Sequence, residues 1–239
     1  MSDFKEIFNR IIPYDIKTEL KRYGNMNKDG GYIFSSKDLD KSKYIYSYGI
    51  GPRIDQIKFD QQMAEAGKTV YMYDGTISQP AKNHENFVFA RENVNSENIY
   101  EHIVKNGHEN ETDITAQIDV EGCEYEIFSN CNEKVFDVFS QMNVEYHDML
   151  EYSEEKIKSL ERISERYYAF HIHLNNWMLD AAEHPEGWKD GYGAVYEVSY
   201  IRKDCLDFTP ERYKGSFPVD GLDVPNRPDL EDPEICWWN

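Results

Sequence analysis

Three pairs of polar residues interrupt aromatic and β-branched runs in this chain: Asp119 with Glu121, Glu145 with His147, and His171 with His173. Each pair is spaced i, i+2 at or near the end of an extended run, so both members point to one side of the chain there. If those strand ends open onto one cleft, carboxylates and imidazoles meet. That ligand mixture suits Mg²⁺ or Mn²⁺, with imidazole favouring the softer Mn²⁺. The expected metal set is Asp119, Glu145, His147 and His173. A cation held there would lower the pKa of a bound hydroxyl and orient it for attack. A second reading needs no metal: His147 or His173, with an ordinary pKa of about 6.5, removes the proton as general base. A third makes the histidines core residues bonded to neighbouring carboxylates. Asp119, His147 and His173 are the catalytic candidates.

A different chemistry is signalled upstream. Tyr44-Ile45-Tyr46-Ser47-Tyr48 reads as a buried strand, and Gly49-Ile50-Gly51 follows at once. Phe59, Met63 and Ala66 then share one helical face, Gly67 ends that helix, and Thr69 to Tyr73 forms a second strand closing on Asp74. Gly49 and Asp74 are 74 − 49 = 25 positions apart, about the length of a nucleoside-binding βαβ half. Glycines let backbone approach a ligand, and an acid ending the second strand accepts from ribose hydroxyls. A nicotinamide cofactor calls for G-x-G-x-x-G, but the third glycine is absent from Gly49-Ile50-Gly51-Pro52-Arg53-Ile54. S-adenosylmethionine, which has no phosphate, needs fewer free amides. Gly49, Gly51 and Asp74 are its expected contacts, with Asp119 at the methionine end. Asp29-Gly30-Gly31-Tyr32 could lay Tyr32 over the cofactor or be an ordinary hairpin turn.

The elements that must position these residues alternate along the chain. An amphipathic helix is expected from Phe4 to Ile12, stopped by Pro13, and a short one from Ile16 to Tyr23. Strands are expected at Phe87–Ala90, Ile114–Val120, Val135–Val144, Tyr168–Leu174 and Ala194–Ile201. Helices are expected at Ile99–Lys105, Cys123–Phe128 and from Ile157 to Tyr167. Such alternation implies a mostly parallel sheet with helices on both faces, and ligands of open α/β sheets sit at the carboxyl ends of strands. Residues 1–207 are expected to form this domain, with residues 1–35 its N-terminal helices and turn. The proline-rich stretch 208–239 ends in Trp237-Trp238 and is expected to pack on the domain or on a partner subunit, as in a homodimer.

With 239 residues and a hydrophobic fraction of 40%, the chain can build one sizeable core. Its net charge of −19 repels polymeric nucleic acid and anionic membrane surface. No stretch approaches the ~20 apolar residues of a membrane span, and MSDFKEIFNR lacks a signal layout, so the expected location is cytoplasmic. Cys123, Cys131, Cys205 and Cys236 contain no CxxC pair, as expected of reduced thiols.

The stretch Ile118-Asp119-Val120-Glu121-Gly122-Cys123-Glu124-Tyr125-Glu126 resembles the I-D-V-E-G-x-E-Y-E signature of FkbM-type S-adenosylmethionine-dependent methyltransferases. Asp29-Gly30-Gly31-Tyr32, Tyr48-Gly49-Ile50-Gly51, Tyr71-Met72-Tyr73-Asp74 and Val144-Glu145-Tyr146-His147 look like further landmarks of its methyltransferase-like branch. The resemblance spans about Arg22 to Lys203 and departs from the pattern at Gly51-Pro52-Arg53-Ile54-Asp55. It implies a Rossmann-like class I methyltransferase fold of seven strands, with Gly49, Gly51 and Asp74 around the cofactor. It also implies O-methylation of a small hydroxyl substrate such as a sugar, plausibly nucleotide-linked and destined for surface or capsular polysaccharide. The rivals are a nicotinamide-dependent oxidoreductase and a non-catalytic metal- or sugar-binding module. Asn175-Asn176-Trp177 could hold a sugar through its amides and a stacking ring.

Overall fold

The fold is seen in a computed structural model, which describes residues 4–179, 188–189 and 192–239. Seven strands form the main sheet in the order β5-β4-β3-β6-β7-β11-β8. These are β3 (Tyr44–Tyr48), β4 (Thr69–Tyr73), β5 (Phe87–Ala90), β6 (Ile114–Ile118), β7 (Phe139–Tyr146), β8 (Tyr167–Leu174) and β11 (Tyr196–Arg202). Neighbours from β5 to β7 pair in parallel, whereas β11 runs antiparallel to both β7 and β8. A hairpin of β1 (Leu20–Gly24) and β2 (Gly31–Ser35), and a small one of β9 (Trp188–Lys189) and β10 (Tyr192–Gly193), stand apart. This is the mostly parallel, Rossmann-like α/β architecture expected.

Alternation along the strands feeds two core layers. Ile45, Val70 and Met72 pack with Phe59 and Met63 of α3 (Lys58–Glu65) and with Tyr32 of the hairpin. Tyr46, Tyr48 and Tyr73 lie in the other layer, with Ile99 and Ile103 of α4 (Ile99–Lys105) and with residues of α5 (Glu124–Asn130) and α7 (Glu154–Arg166). Helices thus cover both faces. Each helix fixes the strand end before or after it, which is how the site is held. Helix α7 starts where Ser153 accepts from the Lys156 amide at 3.1 Å, a side-chain N-cap.

Local pattern misled in four places. The first helix, α1 (Lys5–Phe8), is a single turn; beyond it the chain extends, with Tyr14 bridged to Arg212 and its amide bonded to the Ala169 carbonyl. The segment expected as a helix from Ile16 to Tyr23 is irregular to Glu19 and then β1, because Lys17 has a φ of 52° and the backbone from Leu20 pairs with β2. A helix, α2 (Ser36–Lys41), follows β2 where none was expected. Val135–Val138 forms a helical turn, α6, before β7 starts at Phe139; an unbroken buried run cannot separate the two states.

The C-terminal stretch packs on the domain. Trp237 meets Phe8 at 5.3 Å between ring centroids, and the Trp238 indole donates to the Tyr213 carbonyl at 3.0 Å. Among the described residues no helix is long and apolar enough to cross a membrane.

Candidate active site

Two cavities lie side by side at the carboxyl ends of the parallel strands. The first, of about 320 Å³, is lined by Gly49, Gly51, Tyr73, Asp74, Val94 and Asp119, among others. The second, of about 260 Å³, is lined by Asp29, Arg53, Glu145, His147, Asn175 and Trp177, among others. Gln56, Asp119 and Glu121 line both.

The turn after β3 is built from the two glycines. Gly49 has φ 73° and Gly51 φ 67°, a region that penalises side chains. A Cβ on Gly49 would also collide with the Asp119 carbonyl, and one on Gly51 with the Gln56 amide. Their first task is therefore to seat the turn against β6 and Gln56. Asp74 closes the turn: one oxygen accepts from the Gly51 amide at 3.0 Å, the other from the Thr76 amide at 2.8 Å and hydroxyl at 2.6 Å. A carboxylate offers about four acceptor positions, so room for a ligand hydroxyl remains on the first oxygen. An apolar wall from Val94 and a carboxylate held at the rim fit a nucleoside. Tyr32 is buried with its ring edge-on to Phe59, and its hydroxyl accepts from the Gln117 side chain at 3.1 Å. It forms floor rather than cover, and the Asp29–Tyr32 motif is a hairpin turn.

In the second cavity Asp119, Glu145 and His147 each offer a ligand atom, all within 4.8 Å of one another. Asp119 ends β6, and its Oδ1 is buried without a hydrogen-bond partner. Burial raises its pKa to about 8, His147 opposing and Glu121 adding to the rise. Burial likewise lifts the Glu145 carboxyl well above its usual range, helped by repulsion from Asp119, Glu197 and Asp29. Two such carboxyls hold their protons at neutral pH unless a counter-charge joins them.

His147 is aimed from behind. Its Nδ1–H donates at 2.9 Å to Glu124, a fully buried carboxylate in the first turn of α5, and its carbonyl accepts from the Tyr125 hydroxyl at 3.0 Å. Nε2 is left facing Glu121 at 3.4 Å and Glu145 at 3.7 Å. Burial alone would lower the His147 pKa, but Glu124 and Asp119 outweigh it and bring it to about 8. Glu145 in turn accepts from the Asn175 amide at 3.0 Å. A ring nitrogen and a carboxylate, each oriented by a buried partner, make a donor set that fits a divalent cation. Glu121, the residue at the mouth, has φ 53°, an uncommon conformation for a residue with a side chain.

His173 does not join this group. Strand β11 lies between β7 and β8, and Glu197 stands opposite both Glu145 and His173. Two strand spacings put about 10 Å between their backbones. His173 is instead enclosed, its Nε2 3.2 Å from Asp232 and its Nδ1 3.6 Å from Glu197. His171 is likewise covered, 3.0 Å from Asp223. His171 and His173 therefore meet the C-terminal segment, while Asn175 and Trp177 just beyond them reach the cleft. Sequence reading missed Glu124, Gln56 and Asp29 as parts of the site. Glu124 and Asp29 carried a signal, since they lie inside the Asp119–Glu126 and Asp29–Tyr32 motifs.

No protein-family model matches the chain, and neither does any curated protein. Among solved structures, a hemolysin-like protein from Streptococcus thermophilus is similar with a TM-score of 0.41 and 13% identity, over 74% of this chain and 72% of that one. Bluetongue virus VP4, described as a multifunctional RNA-capping protein, is similar with a TM-score of 0.39 and 13% identity, over 89% of this chain and 34% of that one. At these values neither likeness bears on function.

Proposed function

We propose that the chain is an S-adenosylmethionine-dependent O-methyltransferase acting on a hydroxyl of a small sugar-type substrate, assisted by Mg²⁺ or Mn²⁺. The observation that carries this reading is the shared wall: Asp119 and Glu121 line both the cavity of Asp74 and Val94 and the acidic one. A methyl donor in the first cavity would adjoin an acceptor in the second. In this reading Asp74 takes a ribose hydroxyl, Val94 packs on the base, and Asp119 stands at the junction. Asp119, Glu145 and His147 would hold the cation, which supplies charge to acidify a substrate hydroxyl. Trp177, 45% exposed, offers a stacking face at the mouth.

A histidine base is the second reading, and one observation counts against it: His173, one of its two candidates, is enclosed by Asp232 and Glu197. Titration calorimetry with S-adenosylhomocysteine and with NAD tests the cofactor: the first is expected to bind and the second not. The reverse result would end the methyltransferase reading. Chelation tests the metal: turnover of a panel of free and nucleotide-linked sugars should vanish with EDTA and return with Mn²⁺ or Mg²⁺. Full activity after chelation would leave the cation without a role.

A further inference from the structure

The acidic cavity has one wall that the chemistry above leaves unused. Asp29 lines both this cavity and a smaller one beside Tyr32, Gly49 and Asp119, so it stands where the two meet. Its two oxygens differ. Oδ1 accepts from the Gly30 amide at 2.7 Å and from the Asn226 side chain at 3.2 Å. Among the described residues, Oδ2 has only the Arg53 guanidinium near it, at 4.0 Å, beyond hydrogen-bond distance. One oxygen is structural and the other is left for a ligand.

The turn carrying Asp29 is exposed at its tip and anchored at its base. Buried Arg22 donates to the carbonyls of Asn25 at 2.8 Å and Lys28 at 2.9 Å. A Cβ on Gly30 would come within 2.6 Å of the Asp55 carbonyl, and one on Gly31 would strike the Asn25 carbonyl. One further side is closed by the C-terminal segment. The Asp29 amide donates to the Asn226 carbonyl at 3.2 Å. Buried Asn226 also donates to Glu197 at 2.7 Å, tying Asp29 to the strand between Glu145 and His173. Next to it, Asn176 exchanges hydrogen bonds with the Arg227 backbone at 2.7 and 3.0 Å, which fixes the Trp177 end of the cavity as well.

We propose that Asp29 is the carboxylate that accepts a substrate hydroxyl in the acidic cavity, and that Asn226 of the C-terminal segment is the positioning residue that aims it. The inference rests on the sugar-methyltransferase reading. It gives the segment around Asn226 a place in substrate selection: a polyol with a second hydroxyl in reach of Asp29 Oδ2 is held, and one lacking it is not. Asp29→Asn keeps an oxygen for Gly30 and Asn226 while replacing the free acceptor by an amide donor, so it removes the proposed contact together with the exposed 4.0 Å pair to Arg53.

The test uses the full chain loaded with S-adenosylhomocysteine and Mn²⁺. Binding of methyl glycosides and nucleotide sugars is followed by saturation-transfer NMR. For the sugars the wild type binds, Asp29→Asn should weaken affinity about tenfold, the worth of one buried hydrogen bond. Its affinity for S-adenosylhomocysteine should be unchanged. Asn226→Ala should weaken the same sugars, and the double variant should be no worse than Asp29→Asn, because Asn226 acts through Asp29. Unchanged sugar affinity in Asp29→Asn, or additive losses in the double variant, would overturn the proposal. So would a wild type that binds S-adenosylhomocysteine but none of the sugars. A wild type that fails to bind S-adenosylhomocysteine removes the underlying reading, and this proposal with it. If Asn226→Ala loses the cofactor analogue as well, Asp29→Asn alone decides.

Discussion

Glu124 shows how far a single residue can reach in this molecule. It is a fully buried carboxylate that accepts from the Gly122 amide at 3.0 Å and from His147 at 2.9 Å. The first bond fixes the turn after β6, and the second fixes which ring nitrogen of His147 faces Asp119 and Glu145. Glu124→Gln keeps the volume but loses the charge, so the ring should hold its tautomer less firmly. Mn²⁺ affinity, read by electron paramagnetic resonance, is expected to fall about 10- to 100-fold, while S-adenosylhomocysteine binding is unchanged. Equal Mn²⁺ affinity would count against His147 as a ligand. Asp74 is the corresponding test for the first cavity. Asp74→Ala should weaken S-adenosylhomocysteine binding by about 1–3 kcal/mol through the unpaired ribose hydroxyl, as calorimetry would show.

At the scale of elements, the turn from β3 towards α3 governs both cavities. It needs positive φ at Gly49 and Gly51, and its close approach to the Asp119 carbonyl leaves no space for a side chain. Gly49→Ala should therefore push β3 and β6 apart at their carboxyl ends. A loss of about 2–4 kcal/mol in urea unfolding is expected, from backbone strain and the clash together. A loss below 0.5 kcal/mol, about that of an ordinary surface change, would show that the turn relaxes freely.

Across the whole molecule, the C-terminal segment ties the site to elements far from it in the chain. It covers His171 with Asp223 and His173 with Asp232, and it meets the first helix through Trp237 and Phe8. Burial would raise the Asp223 pKa, but the His171 ring and the Val219 amide bring it down to about 2. A depressed carboxyl contributes stability above its ordinary value of about 3.8, and that contribution is lost as pH falls through about 2. The segment is therefore expected to loosen as pH falls from about 4 to about 2, seen as a change in tryptophan emission. Asp223→Asn should release it at neutral pH and flatten that acid limb. An unaltered limb would place the titration elsewhere.

The sequence by itself determined the strand-turn-helix-strand unit from Tyr44 to Asp74, because glycine spacing, strand run and terminal acid are all local. It also placed Asp119, Glu145 and His147 at strand ends, since polar residues closing apolar runs mark carboxyl ends; that those two strands are neighbours came from the fold. Local pattern could not tell β1 from a helix: Leu20 and Tyr23, three apart, share a face only in a helix, and in the strand they pack into different clusters, so pairing with β2 decides. It could not tell His173 from His147 either, for each is the second member of an i, i+2 pair close to a strand end. What separates them is the order of strands in space. Inserting β11 between β7 and β8 sets Glu197 beside Glu145 and moves His173 beneath Asp232. That order arises from contacts between segments far apart in the chain, where burial and hydrogen-bond pairing are satisfied only by the folded whole.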